Sequence, residues 1–251
     1  MIYGLYQSAA GIMSNSYRQD VIANNLANSE TTGFKRDVTA FRQRLTAARE
    51  NRKSGDWSDS VYEGLGGGLL AMPNQADFSQ GALQETGAAS DIAIQGKGFL
   101  AVKQGDQTLL TRDGRFSVNQ NGNLILTSGQ AVLDTAGQPI TVGTDGPLTI
   151  DSDGQITQNG KQLGRVGVYN VDNAASLKKV GGNLFAASDN DPIHAGDATL
   201  RSGFVEQSNV EPTSEMADLM DVQRQIQANA NMIQTQDSTL QRLVNDVGKI
   251  S

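Results

Sequence analysis

The chain contains no cysteine and only one histidine and one tryptophan. The first absence removes disulfides, thiolate metal sites and cysteine nucleophiles together. The lone histidine, His194, lies in the turn-like passage Asp191-Pro192-Ile193-His194-Ala195-Gly196 with no second ligand nearby, so it reads as a surface residue rather than a base or a metal ligand. Long apolar runs are missing too. None approaches the ~18 residues of a membrane span, and Met1 to Ala10 lacks the basic region and continuous apolar core of a cleaved signal peptide, so neither membrane insertion nor signal cleavage is expected. Basic residues are outnumbered, 20 Lys and Arg against 27 Asp and Glu. No cluster of cations is evident for phosphate contact, and no nucleic-acid partner is expected. Five Pro, seven Phe and five Tyr set against 28 Gly favour turn-rich β structure over an aromatic-packed enzyme core.

Catalytic and metal motifs are absent in the same way. There is no zincin helix, Walker loop, serine elbow or paired zinc ligands. Gly96-Lys97-Gly98 lacks the third glycine and following helix of a phosphate loop, and reads as a hairpin or bulge. Counting from Asp151, the sixth and twelfth positions of an EF-hand are Ile156 and Gln162 where Gly and Glu are required, so Asp151-Ser152-Asp153-Gly154 reads as a turn. No enzyme activity, cofactor, metal or small-molecule substrate is expected.

What is present is helical repeat at both ends. From Ser214 to Val247, steps of three and four give Met216, Leu219, Gln223, Ile226, Ala230, Ile233, Asp237, Leu240, Val244 and Val247, a seam broken only by Gln223 and Asp237. A 3.5-residue period over that length suits an apolar stripe laid along another helix. Pro212 suits a first helical turn, with Thr213 or Ser208 as cap. Glu206, Glu211, Glu215, Asp218 and Asp221 gather near that helix start, where negative charge meets the helix dipole favourably. From Ile2 to Asn28, Leu5, Ala9, Ile12, Ala23 and Leu26 form a weaker seam, and Ile2, Tyr6, Ala10, Met13 and Tyr17 form a second face. Two apolar faces imply more than one neighbour. The helix is expected to stop between Asn28 and Gly33.

Between the helices, Phe41, Leu45 and Ala48 predict a short amphipathic helix, and Ser54 to Gly87 an extended, glycine-rich connector. Short apolar runs from Asp91 to Glu206 alternate with Asp113-Gly114, Asn121-Gly122, Asp145-Gly146, Asp153-Gly154 and Asn159-Gly160, each suited to a tight hairpin. The expected class is therefore α+β: long terminal helices pairing as a coiled coil, with an inserted, irregular, mainly antiparallel β domain. The boundaries read as 1–33 for the N-terminal helix, 34–90 for the connector, 91–207 for the β domain and 208–251 for the C-terminal helix.

Three groups of residues resemble one family. Asp20-Val-Ile-Ala-Asn-Asn-Leu-Ala-Asn28 with Thr31-Thr-Gly-Phe-Lys35 looks like the N-terminal signature of bacterial flagellar basal-body rod and hook proteins. Asp91-Ile-Ala-Ile-Gln-Gly-Lys-Gly-Phe99, Thr111-Arg-Asp-Gly-Arg-Phe116 and Asn121-Gly-Asn-Leu124 are similar to its middle segment. Gly203-Phe-Val-Glu-Gln-Ser-Asn-Val210, with Glu215-Met216 and Val222-Gln-Arg224, is similar to its C-terminal signature. The resemblance implies a structural subunit exported unfolded by the flagellar type III apparatus and polymerised into the axial structure. Its partners would be itself and other rod and hook proteins, and its location the periplasm-spanning rod. The assembly residues it implies are Leu5, Ala9, Ile12, Ala23, Asn24, Asn25, Leu26, Asn28, Gly33 and Phe34 at one end. At the other end they are Met216, Leu219, Ile226, Ala230, Ile233, Leu240, Val244 and Val247. Tyr62-Glu-Gly-Leu-Gly-Gly-Gly68 continuing through Ser79-Gln-Gly-Ala-Leu83 looks more like the distal-rod type, whereas the shorter region after Leu133 looks more like the proximal. Distal is favoured. The competing class is a secreted or surface β-rich binding or adhesive module whose helical ends serve only to oligomerise it.

Overall fold

The computed structural model describes residues 2–43, 69–143, 146–188, 191–196 and 198–247. Helix α1 runs Ile2–Ala27 and helix α2 Pro212–Val247. At about 1.5 Å per residue, the 36 residues of α2 extend roughly 54 Å. Proline opens α2 where an N–H has no intrahelical partner to lose. The carbonyl of Glu211 accepts the first helical bond, from the Glu215 N–H at 3.1 Å, so Glu211 is the N-cap. Neither expected cap holds that position: Thr213 Oγ1 donates to the Glu211 carboxylate, and Ser208 Oγ accepts from the Val210 N–H. The mainly antiparallel β structure lies between the helices in sequence, as expected.

The chain divides into two units, one holding Met1–Leu26, Asp37–Gln75 and Glu211–Ser251, the other Ala27–Arg36 and Ala76–Val210. In the first, Val21, Ile22 and Val222 are buried. Phe41–Gln43 is a strand paired antiparallel with Leu69–Ala71, which corrects the short helix expected from Phe41. Cross-strand bonds to a partner distant in sequence supply what a local helical turn would have supplied, and Leu45 and Ala48 lie outside the described residues. Phe41 packs edge-on against the Tyr17 ring at 6.4 Å, and Tyr17 donates its hydroxyl proton to Asn74 Oδ1 at 2.9 Å.

The second unit is built on antiparallel strands. Among the described residues its main sheet runs in the order Lys178–Gly181, Leu184–Ala186, Gln107–Thr111, Phe99–Gln104, Ala131–Val132, Leu124–Leu126 and Phe116–Val118. Val168–Val171 also pairs with Phe99–Gln104, and Ile193–Ala195 pairs beyond it. Alternation along a strand sends successive side chains to opposite faces. Leu100, Val102, Leu109 and Leu184 therefore enter one apolar cluster, while Phe99, Ala101, Leu110 and Phe185 enter another. These central strands are covered on both faces, which is why they read as continuous apolar runs. Burying each large side chain stabilises the unit by about 1.5–3 kcal/mol. Phe78, from the expected connector, stacks edge-on against Phe99 and Phe185 at 5.2 and 5.0 Å.

Turn chemistry held unevenly. Asn159-Gly160 closes the hairpin between Gln155–Gln158 and Lys161–Arg165 with φ of 51° and 75°, the double positive φ of a type I′ turn. Asp113-Gly114 is not such a turn. Gly114 is there for close approach: its carbonyl accepts the Ile92 N–H at 3.0 Å, and a Cβ at Gly114 would lie 1.7 Å from the Ile92 carbonyl oxygen. Gly96 and Gly98, between Ile92–Gln95 and Phe99–Gln104, both have positive φ, in keeping with a strand connection rather than a phosphate loop.

Candidate functional site

The N-terminal seam residues Leu5, Ala9, Ile12 and Leu26 are half-buried on α1, whereas Ala23 and Asn24 are exposed. On α2, Leu219, Ile226, Ala230, Ile233 and Leu240 are half-buried, Met216 is 47% and Val244 70% exposed, and Val247 closes the helix. The covered line on α2 is therefore Glu215, Leu219, Val222, Ile226, Asn229, Ile233, Gln236 and Leu240. It shares Leu219, Ile226, Ile233 and Leu240 with the seam read from the sequence. Its intervening positions come one residue earlier, so that Met216, Gln223 and Asp237 are exposed while Ala230 stays half-buried beside Asn229.

Contacts within the first unit explain that phase. A Cβ on Gly4 would lie 2.6 Å from Gln236 Nε2, and one on Gly11 would lie 2.8 Å from Asn229 Nδ2. Asn25 Nδ2 points at Glu215 Oε2, 3.4 Å away, and Arg18 approaches the Asp218 carboxylate at 4.0 Å. As α1 ascends, its partners on α2 descend, so the helices run antiparallel. Asn25 and Glu215 are each 1% exposed. Asn25 also exchanges two bonds with the backbone of Asp37, donating from Nδ2 to the carbonyl and accepting the N–H at Oδ1, both at 2.9 Å. Its amide thus acts as one residue of a strand pair, a specific use that a simple capping role would not require.

In the second unit, Asn28 accepts the Thr31 N–H at 3.1 Å and the Thr31 hydroxyl at 3.3 Å, turning the chain after α1. Gly33 has φ of 69° and donates its N–H to the Glu206 carbonyl at 2.7 Å. Any Cβ there would lie 2.5 Å from the Asp113 backbone nitrogen, so only glycine fits. Phe34 is buried, with Lys179 Nζ 4.0 Å from its ring centre.

Sequence reasoning missed the ion cluster beside these residues. Lys35 Nζ donates to Glu206 Oε1 at 2.6 Å and to the Ser79 carbonyl at 2.7 Å. Arg112 donates from Nη1 to Glu206 Oε2 at 3.1 Å and from Nη2 to the Gly96 carbonyl at 2.9 Å. Gly81 gives its N–H to Glu206 Oε1 at 2.9 Å. Lys35 and Glu206 are fully buried and Arg112 is 3% exposed. Burial pushes the Lys35 ammonium below its ordinary range, against the pull of the Glu206 carboxylate, and burial likewise lowers Arg112. The available signal was a charged residue set against large apolar neighbours, Phe34-Lys35 and Val205-Glu206, inside the segments quoted above. A solvated surface charge needs no such neighbours.

His194 lies on the exposed strand Ile193–Ala195, 3.6 Å from the Asp172 carboxylate. Asp151 uses its carboxylate on its own turn, accepting the N–H groups of Asp153 and Gln155. No helix among the described residues is long and apolar enough to cross a membrane.

Comparison with known proteins matches three segments of this chain to flagellar rod and hook proteins. Residues 5–35 match the family described as flagella basal body rod protein. Residues 93–158 match the flagellar hook protein FlgE/F/G D1 domain, and residues 201–246 the flagellar basal body rod FlgEFG protein C-terminal. The chain is 33% identical to the flagellar basal-body rod protein FlgG of Bacillus subtilis over 98% of its own length and 99% of that protein. This chain belongs to the flagellar basal-body rod protein family. It is equally 33% identical to the flagellar basal-body rod protein FlgF of Caulobacter vibrioides, over 98% of each chain. The flagellar hook protein FlgE of Treponema pallidum is 38% identical over half of this chain and 27% of its own. Within this rod family member, the three matched segments are the ones that supply Lys35, Arg112 and Glu206 to a single cluster.

Proposed function

We propose that the chain is a non-catalytic structural subunit of the flagellar basal-body rod, polymerising through α1 and α2 into a helical axial structure that transmits torque to the hook. Residues 1–33 and 208–251 serve assembly as a coiled coil, 34–90 connect, and 91–207 form the β domain. Its partners are other copies of itself and the neighbouring rod and hook proteins, and it reaches them through the flagellar type III apparatus. It takes no cofactor, metal, nucleic acid or small-molecule substrate. The observation that carries this reading is the long antiparallel helix pair that still exposes Tyr6, Met13, Met216, Met220, Met232 and Val244. Apolar side chains recurring on exposed helix faces are what a polymer contact uses. Full-length similarity to rod proteins favours this reading over an adhesive β module. The distal rod is favoured over the proximal on the segment from Tyr62 to Leu83, although relatives of both FlgG and FlgF name are similar to this chain, and residues 62–68 lie outside the described ones.

The test is Met220→Asp with Met232→Asp in cells lacking the native copy. Both side chains are about half exposed, so the purified chain should melt as before while rods fail to form. Rods of normal length in that strain would refute assembly through this face. Electron microscopy of basal bodies carrying a labelled chain decides the subtype: label at the hook end supports the distal rod, and label at the opposite end overturns it.

A further inference from the structure

The covered line on α2 has two halves. Leu219, Ile226, Ile233 and Leu240 recur every seventh residue and are nearly interchangeable, so sliding α2 by one heptad would set one aliphatic side chain where another had been. This half supplies burial but cannot choose a register. The other half, Glu215, Val222, Asn229 and Gln236, differs at every layer. Its counterparts on α1 are two open notches, Gly4 and Gly11, that admit an amide, and one buried amide, Asn25, that faces a buried carboxylate. A slide that brought Gly11 opposite Gln236 would set Asn25 against Val222, leaving its amide beside an apolar side chain. It would also carry Glu215 beyond the end of α1 at Ala27. The opposite slide would set Gly11 against Val222 and move Asn25 beyond the start of α2 at Pro212.

Resting on the assembly reading above, we infer that Asn25 and Glu215 are the specificity determinants of terminal-helix pairing, while the Gly4 and Gly11 notches make room for the Gln236 and Asn229 amides without choosing between them. Asn25 and Glu215 hold α1 and α2 of one chain antiparallel at a single register. They also deny the aliphatic line of α2 to the same line on a second copy, where two Glu215 carboxylates would enter one seam without an Asn25 amide. A helix-dipole role alone does not account for Glu215, because a carboxylate serves the dipole while solvated, whereas this one is almost wholly buried against Asn25.

The absence of cysteine makes the register directly readable in the full chain. The in-register reporter is Gly11→Cys with Asn229→Cys, where the Cβ position of residue 11 lies 3.3 Å from Asn229 Cγ. The two slid reporters are Gly11→Cys with Gln236→Cys and Gly4→Cys with Asn229→Cys. With Asn25 and Glu215 present, the in-register pair should close an intrachain disulfide and both slid pairs should stay open. Adding Asn25→Leu with Glu215→Leu should raise closure of a slid pair, or of a disulfide-linked dimer through Asn229→Cys alone, by about tenfold or more. Glu215→Gln, which keeps the shape and a hydrogen-bonding group, should leave the reporters as they were. Slid pairs that remain open in the Leu/Leu variant, with no dimer through Asn229→Cys, overturn the inference, as does failure of the in-register pair in the parent chain. Rod formation is scored separately in cells. A register that behaves as stated in a chain that never enters rods overturns the functional reading and leaves this one standing.

Discussion

Replacing Glu206 with Leu removes the carboxylate bonded to both buried cations, Lys35 and Arg112. Lys35 then retains the Ser79 carbonyl and Arg112 the Gly96 carbonyl, and the Gly81 N–H loses its acceptor. Breaking a buried ion group from the side of its shared partner costs about 3–5 kcal/mol, because the charges left behind are desolvated and unpaired. Lys35→Met is milder, about 1–3 kcal/mol, since Glu206 still holds Arg112 and Gly81. The ordering follows from geometry alone: Glu206→Leu should exceed both Lys35→Met and Arg112→Met. For a unit of this size, 1 kcal/mol moves Tm by roughly 2–4 °C, so Glu206→Leu should lower the transition by about 6–20 °C. The sharper test is Lys35→Met, Glu206→Leu and Arg112→Met together. With no charge left to pair, the triple variant should recover most of the loss and melt well above Glu206→Leu alone. Differential scanning calorimetry of the full chain reads all four variants. Additive losses, or a Glu206→Leu change no larger than Lys35→Met, would refute the claim that one carboxylate organises the cluster.

Gly33→Ala should lower stability by at least about 1–3 kcal/mol from positive φ alone, with the 2.5 Å approach to Asp113 adding to it, read as a drop in Tm. A chain spanning residues 27–210 should keep the high transition, whereas one spanning 88–207 lacks Lys35, Ser79 and Gly81 and should melt at least about 10 °C lower. Burial holds Lys35 below the ordinary 10.5 of a lysine. Between its folded value and 10.5 the unfolded chain binds the extra proton, so stability from this group rises with pH across that window. The difference in denaturation midpoint between the parent chain and Lys35→Met should move in the parent's favour through that window and stay level below it. Movement in the other direction would show that the Glu206 attraction outweighs burial.

Periodicity made the helices and the alternation of strand and turn readable, because both follow from local spacing. The phase of the α2 seam did not follow, and the reason is specific. The line through Met216, Gln223, Ala230 and Asp237 holds two apolar residues, whereas the line through Glu215, Val222, Asn229 and Gln236 holds one. By hydrophobicity the first is the better choice. The structure takes the second because α1 offers glycine notches to the two amides and Asn25 to the carboxylate. Complementarity belongs to a pair of helices and cannot be read from either alone. The strand at Phe41–Gln43 was hidden for the same reason, since its partner at Leu69–Ala71 lies beyond a long intervening stretch.

The ion cluster carries that argument furthest. Lys35, Arg112 and Glu206 each sit in a segment that reads as a separate motif, and the ends of the set are 171 residues apart. Read singly, each is a charge that water could solvate. Folded, they are one site. Glu206 accepts from both cations through its side chain and from Gly33 through its backbone, so the segment after α1 and the segment before α2 converge on one residue of the β unit. Neither segment can complete that unit without the other, since Lys35 comes from one and Glu206 from the other. The β unit is therefore finished only when residues from both ends of the chain have arrived.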